Sequence, residues 1–586
     1  MSSFFVSSDK VKVGQTEVSI PAENGLSYAP GGRIDLYIPP TSKFVDLSQS
    51  RLEMTVGLTI PITGPVQRLQ LDAQTGLHSL IDSINIYTGR KTALLESIQG
   101  YDILTALRFD YETNRNLQNK RVMTEGATGY DPGCRGTLGT TESLQANCLS
   151  NPWFSTIESN TSQTNSFDID DAASSGMFHD VKGELHLNTG LFRSNALFPL
   201  VLTDGLFIEI VLKRTNTLFR QLDSTTRERR LGLNARFHSR NGSDAVPLAW
   251  ADAGNLEPTD AFFLARDNNM TSLAVCPWVV GQDISVVSAD NVTLNASIGR
   301  ITQIEFVTSA SLGESKIKIT TTGMTNTTGD LIGIDNEDYR IVSRTTEQYT
   351  PYTANLTINN VNLIVQEIQV PDSYEQSMMN MMKEGGTINY DYRTFTNYRY
   401  SQVAGDLVAN IRLPLIESRA TAILCVPCDA TPYTQQQALS CVDTYLENND
   451  QYDVVNRSAR SSLVGISDYL QEYQWIYDGR INPSRPVDTS KISSKNSISQ
   501  QWMIEAEKAL AMSDIEPLSF ASFQTNFFLG RALALGRNAV YDARGKDFNL
   551  QLQYTGTTPT KNKLWNNYCA HLRRLVIKNG SISVQV

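Results

Sequence analysis

The sequence predicts an all-β protein: two β-sandwich units in series, with long loops, an inserted small β domain and a few short helices. Three observations predict it. Apolar and polar residues alternate with a period of two in segment after segment, the pattern of strands that bury one face. Connections such as 123–180 are long and rich in Gly, Asn, Thr and Ser, which suits sandwiches better than alternating strand–helix units. At 586 residues the chain exceeds what one sandwich core absorbs.

Taken in chain order, the polar stretch 1–28 reads as an N-terminal arm. The first unit spans 29–219 and 351–372. Its clearest strand sets Leu52, Met54, Val56, Leu58 and Ile60 between Arg51, Glu53, Thr55, Gly57 and Thr59, and the period returns at Ile208, Ile210 and Leu212 and at Val361, Leu363 and Val365. Residues 220–350 read as a small β domain inserted in an outer loop, with short strands at 300–307, 316–320 and 339–342 divided by turn clusters such as Thr327-Thr328-Gly329-Asp330. A linker helix falls within 373–389. It carries Met378, Met379, Met381 and Met382 and stops before Gly385-Gly386. Methionine can adapt to a partner's surface, but this stripe is read as packing beneath the first sandwich. The second unit spans 390–586, with an alternating strand at Phe548, Leu550, Leu552 and Tyr554 and helices at 434–447 and 497–512.

Charge and cysteine usage exclude several function classes. Lys and Arg number 50 against 61 Asp and Glu, a net charge of −11, and an acidic surface repels phosphate. No specific nucleic-acid binding is expected; Arg227-Glu228-Arg229-Arg230 and Arg573-Arg574 read as solvated faces or ion-pair partners. No apolar run is long enough for a transmembrane segment, and the first residues lack a basic stretch leading into an apolar one. Seven cysteines without regular spacing do not form a disulfide framework, so synthesis in host cytoplasm or nucleus is expected, with the Asn-X-Ser/Thr triplets unmodified.

The inventory for catalysis is poor. No two of His78, His179, His186, His238 and His571 lie within four residues of each other, and HExxH, GxSxG and phosphate-loop motifs are missing. His186 alternates with apolar residues, shares a face with Glu184 and is expected to point outward in a surface pair. His78 and Asp82 lie on a segment read as extended, which would separate them by about 13 Å. Cys425 and Cys428 could form half of a zinc or redox site, but no second pair follows and Cys441 leaves the set without a fourth ligand or a nearby His, so they read as small buried side chains ending the strand Ala422-Ile423-Leu424. Asp168, Asp170 and Asp171 lack the Gly and Glu of a calcium loop, and the pairs Asp168/Asp170 and Asp443/Glu447 read as solvated acids rather than glycosidase carboxylates. Catalytic, cofactor-binding and metal-binding residues are all expected to be none.

A resemblance adds to this reading. It is carried by Arg33-Ile34-Asp35-Leu36-Tyr37-Ile38, by 44–56 with its alternation, by 77–87 leading to a hairpin turn at Gly89-Arg90-Lys91, by 204–214 and by 356–365. In the second half Tyr477-Asp478-Gly479-Arg480 resembles an outward hairpin and 548–554 a late strand. In this order the segments resemble the double jelly-roll major capsid proteins of polinton-like viruses, adintoviruses and virophages, over nearly the whole chain. The resemblance implies two tandem jelly rolls and a shell subunit, three copies of which close into a pseudo-hexameric capsomer of an icosahedral double-stranded DNA virus. It also implies penton and minor capsid proteins as partners and a place in the virion. The alternative is a minor β-sandwich spike or glycan- or receptor-binding surface protein, with 220–350 as its head; abundance in purified particles separates the two.

Overall fold

Among the described residues eight strands form the main paths of the first unit's two sheets, β1 (Gly14–Pro21), β2 (Arg33–Ile38), β3 (Phe44–Ile60), β4 (Ile81–Thr88), β5 (Leu94–Gln99), β6 (Met177–Leu185), β7 (Leu206–Leu212) and β8 (Asn355–Gln369), and the short strand Ser27–Tyr28 pairs with β8 beside them. They form one antiparallel sheet in the order β1-β8-β3-β6 and a second in the order β2-β7-β4-β5. The second unit has β9 (Thr387–Gln402), β10 (Val408–Leu413), β11 (Ala420–Asp429), β12 (Leu470–Tyr477), β13 (Arg480–Ile481), β14 (Leu529–Ala532), β15 (Phe548–Tyr554) and β16 (Lys563–Lys578). Its sheets run β9-β16-β11-β14 and β10-β15-β12-β13. This is the order of the first unit with eight added to every strand number. Two four-stranded antiparallel sheets so interleaved are a jelly roll, so the chain holds two in tandem.

This is a computed structural model, and it describes residues 3–5, 14–60, 66–70, 75–112, 121, 124–125, 155–158, 177–214, 220–223, 261–264, 283–288, 294–308, 315–322, 339–343, 355–430, 463–465, 467, 470–489, 500–517, 526–536, 539–554, 562–578 and 580–585. The expected helix at 434–447 lies outside these residues.

The alternating segments fold as their period requires. In β3, Leu52, Met54 and Val56 are buried while Arg51, Glu53 and Thr55 are half-buried. The hairpin turns form where their residues tolerate positive φ: Lys91 has φ 55° between β4 and β5, and Asp478 and Gly479 have φ 54° and 70° between β12 and β13. A two-residue loop with both φ values positive is the turn whose twist matches that of the paired strands.

Helix α1 (Tyr101–Glu112) follows β5, and α3 (Gln500–Met512) follows β13, so the two rolls carry a helix at equivalent places. Between the rolls, α2 (Asp372–Lys383) buries Met378 and Met382, and its Tyr374 ring lies 6.2 Å from Phe44 of β3. Met378 and Met382 of the stripe are thus core residues rather than an exposed face. Between β7 and β8, the strands Ala261–Leu264, Ser315–Thr321, Leu294–Thr308, Asp283–Ser288 and Tyr339–Ser343 pair in that order as one antiparallel sheet.

Two expectations are corrected. Gly14–Pro21, read as part of an arm, is the edge strand β1, paired antiparallel with β8; Ser3–Phe5 pairs parallel with the start of β9. Strand pairing satisfies backbone groups whatever the polarity of the side chains, so a polar segment joins a sheet edge without an apolar signal. His78, read as extended, lies in a 3-10 turn, Gly76–Leu80, and is fully buried.

Candidate functional site

With no catalytic constellation in the sequence, the seam between the rolls is the first place to look for function. Strand β5 is an edge strand of its sheet, and an edge exposes unpaired backbone groups to stray pairing. Side chains of the second roll cap it. The Leu95 carbonyl accepts hydrogen bonds from Tyr392 Oη and, at 2.6 Å, from Arg573. The Gln99 carbonyl accepts one from Asn397 Nδ2 at 2.9 Å, and the Gly100 carbonyl one from Tyr568 Oη at 2.7 Å.

Glu96, fully buried in β5, lies at the centre. Its carboxylate accepts from Gly190 N at 2.6 Å, Leu191 N at 3.0 Å and Thr394 Oγ1 at 2.5 Å. Burial raises its pKa and these donors, with the Arg573 charge, oppose the rise. The backbones nearly touch: a Cβ on Gly190 would lie 2.0 Å from the Arg393 carbonyl oxygen. Helix α1 closes the seam, with Tyr111 Oη donating to Asn526 O at 2.9 Å, Asn526 Nδ2 to Asp110 at 2.8 Å, and the Tyr111 and Phe528 rings edge to face at 5.4 Å. One hydrophobic cluster runs through both rolls. The two rolls thus share hydrogen bonds and a continuous apolar core.

The outer surface keeps apolar groups. Val403, Leu407 and Val408 are 63%, 47% and 69% exposed around the connection from β9 to β10, and Ile416, Leu535 and Val540 are also exposed.

The candidates read from sequence are not brought together. His186 is exposed and its Nδ1 is 3.2 Å from the Ser50 carbonyl; Glu184 pairs with Arg51 at 2.7 Å instead. Arg574 forks onto Asp391 at 2.7 and 2.8 Å, an ion pair as read. Cys425 and Cys428 are buried in β11, three residues apart and therefore on opposite faces. Asp168, Asp170, Asp171, Cys441, Asp443, Glu447 and Arg227 to Arg230 lie outside the described residues.

Sequence reading missed one cluster. Glu417, Cys569 and His571 are all buried, with ligand-capable atoms within 4.8 Å of one another. The i, i+2 spacing of Cys569 and His571 on a strand was available as a signal; Glu417, about 150 residues away, has no sequence link to them.

Two sandwiches of identical strand order in one chain define the class of architecture as a double jelly roll. No family model and no curated protein matches the sequence. The chain is similar to solved structures of viral capsids. A cryo-EM structure of the Sputnik virophage matches at 11% identity with TM-score 0.44, covering 99% of this chain and 89% of that one. The PBCV-1 virus capsid matches at 8% identity with TM-score 0.46, covering 99% and 98%. The Faustovirus major capsid protein matches at 8% identity with TM-score 0.47, covering 97% and 91%. No helix among the described residues is long and apolar enough to cross a membrane.

Proposed function

We propose that the chain is a major capsid protein, a non-enzymatic shell subunit that works by self-assembly. Three copies close into a pseudo-hexameric capsomer, and capsomers tile the icosahedral shell of a double-stranded DNA virus. The observation that carries this is the repeated strand order: two equivalent rolls per chain present six equivalent walls in a trimer, a shape that tiles. The seam supports it, because a tile must be stiff, and the exposed apolar side chains at Val403, Leu407 and Val408 are surface that association can bury. In this reading the other partners are neighbouring capsomers and the penton and minor capsid proteins, with genome neutralisation left to other proteins.

Light scattering on the size-separated protein tests the trimer. The expected mass is about 195 kDa, three times the 65.0 kDa chain, and stable to dilution, since obligate interfaces bury on the order of 2,000–5,000 Å². A clean monomer at 65.0 kDa that forms no particles when concentrated would overturn the trimer and favour the spike or receptor-binding alternative.

A further inference from the structure

The cluster of Glu417, Cys569 and His571 is not used by the seam or by the assembly reading, and its chemistry is that of a metal site. It brings one carboxylate, one thiol and one imidazole together, with donor atoms within 4.8 Å of one another and no residue exposed. Cys569 and His571 lie two apart on β16, so they share a face of the sheet, while Glu417 comes from the connection between β10 and β11.

Neighbouring groups hold two of the three donors in place. Glu417 Oε1 accepts from Tyr398 Oη at 2.7 Å, and its Oε2 from the Ile416 backbone N–H at 3.1 Å. His571 Nδ1 lies 3.2 Å from the Cys569 carbonyl and, facing an acceptor, carries the ring proton. That leaves Nε2 with a free lone pair. Among the described residues Nε2 has no hydrogen-bond partner although it is fully buried. A buried polar nitrogen without a partner is destabilising, and a metal ion is a partner that would use its lone pair. The imidazole bonded through one nitrogen to a carbonyl and free at the other is the usual arrangement of a metal-ligating histidine.

We propose that Glu417, Cys569 and His571 bind one Zn²⁺ ion as three of its four ligands, with a water molecule as the fourth, which ties the β10–β11 connection to β16. The donor set selects the metal: thiolate, imidazole and carboxylate together suit zinc better than calcium or magnesium, which take oxygen ligands. Charge balances in the buried site. The thiol gives up its proton to solvent on binding, and thiolate plus carboxylate offset the two positive charges, with the imidazole neutral. Donors around tetrahedral zinc lie about 3.5 Å apart, so the present cluster needs only a modest contraction.

The test uses the full chain produced with zinc in the medium, dialysed, and analysed for metal by mass spectrometry. Wild type should retain close to one zinc per chain, and Cys569→Ser and His571→Gln should each lose it, while Cys428→Ser, buried elsewhere on β11, keeps it. Because the two site variants could fold poorly, wild type is also stripped with chelator and reloaded with Co²⁺. Thiolate-to-cobalt charge-transfer absorption with intense tetrahedral bands is the expected spectrum, together with a lower unfolding midpoint after stripping that zinc restores. Wild type with well under one zinc per chain before and after reloading overturns the proposal, as does zinc that both site variants retain.

Discussion

His78 sits with no solvent exposure between Tyr101 and Glu125, its Nδ1 2.8 Å from Tyr101 Oη and its Nε2 3.5 Å from Glu125. The Tyr101 hydroxyl accepts the Asn188 backbone N–H at 2.8 Å, so its own proton is free for Nδ1, which leaves the ring neutral with Nε2–H toward the carboxylate. Burial lowers the His78 pKa from 6.5; the Glu125 hydrogen bond and charge oppose this, and the charges of Arg121 and His186 add to it. Burial would by itself raise Glu125, but the hydrogen bond from His78 and the Arg121 guanidinium at 2.5 Å hold it at about 2, so it stays ionised near neutrality. The sign of the pH effect follows. The unfolded chain takes up a proton at His78 near pH 6.5 and the folded chain does so only at lower pH, so stability is lost as pH falls below that value. Denaturation of wild type and His78→Gln at roughly pH 7.5 and 5.5 should show the shallower loss in the variant. Equal slopes would mean that His78 is not the group responsible.

At the scale of elements, what the sequence shows depends on how a segment is buried. Strands with one wet face, such as β3 and β15, are legible from period alone. Helix α1 is not: ten of its residues, from Tyr101 to Tyr111, are buried, and a helix covered on nearly every side has no polar stripe to mark it. The close approach at Gly190 is equally silent, because nothing beside it in sequence names Arg393 as its neighbour. Its consequence is testable. Gly190→Ala places a methyl group against the Arg393 carbonyl at 2.0 Å, backbone against backbone, and should cost about 1–3 kcal/mol, read as a lower denaturation midpoint. A variant as stable as wild type would show that the seam can open without penalty.

Over the whole molecule, the first roll differs from the second chiefly by what lies between its last two strands. β7 ends at Leu212 and β8 begins at Asn355, whereas β15 and β16 are joined by residues 555–562. We propose that 220–350 lies on the outer surface of the assembled shell, since a tile tolerates insertion where loops meet solvent. Limited proteolysis of intact particles should cut within 220–350 before it cuts either roll. If the rolls are cut first, the placement is wrong. The trimer mass belongs to this scale as well, for neither roll alone presents the repeated walls that would close a pseudo-hexamer.

From the sequence alone came the all-β class and the alternating strands such as β3 and β15, while the two hairpin turns came with the resemblance. Alternation is legible because it is local, a property of neighbours in the chain. Only the tertiary structure decided the strand order, the capping of β5 by the second roll, the burial of α1 and the meeting of Glu417 with Cys569 and His571. Each of those joins residues far apart in sequence, and such contacts are fixed by which surfaces pack together once the strands exist.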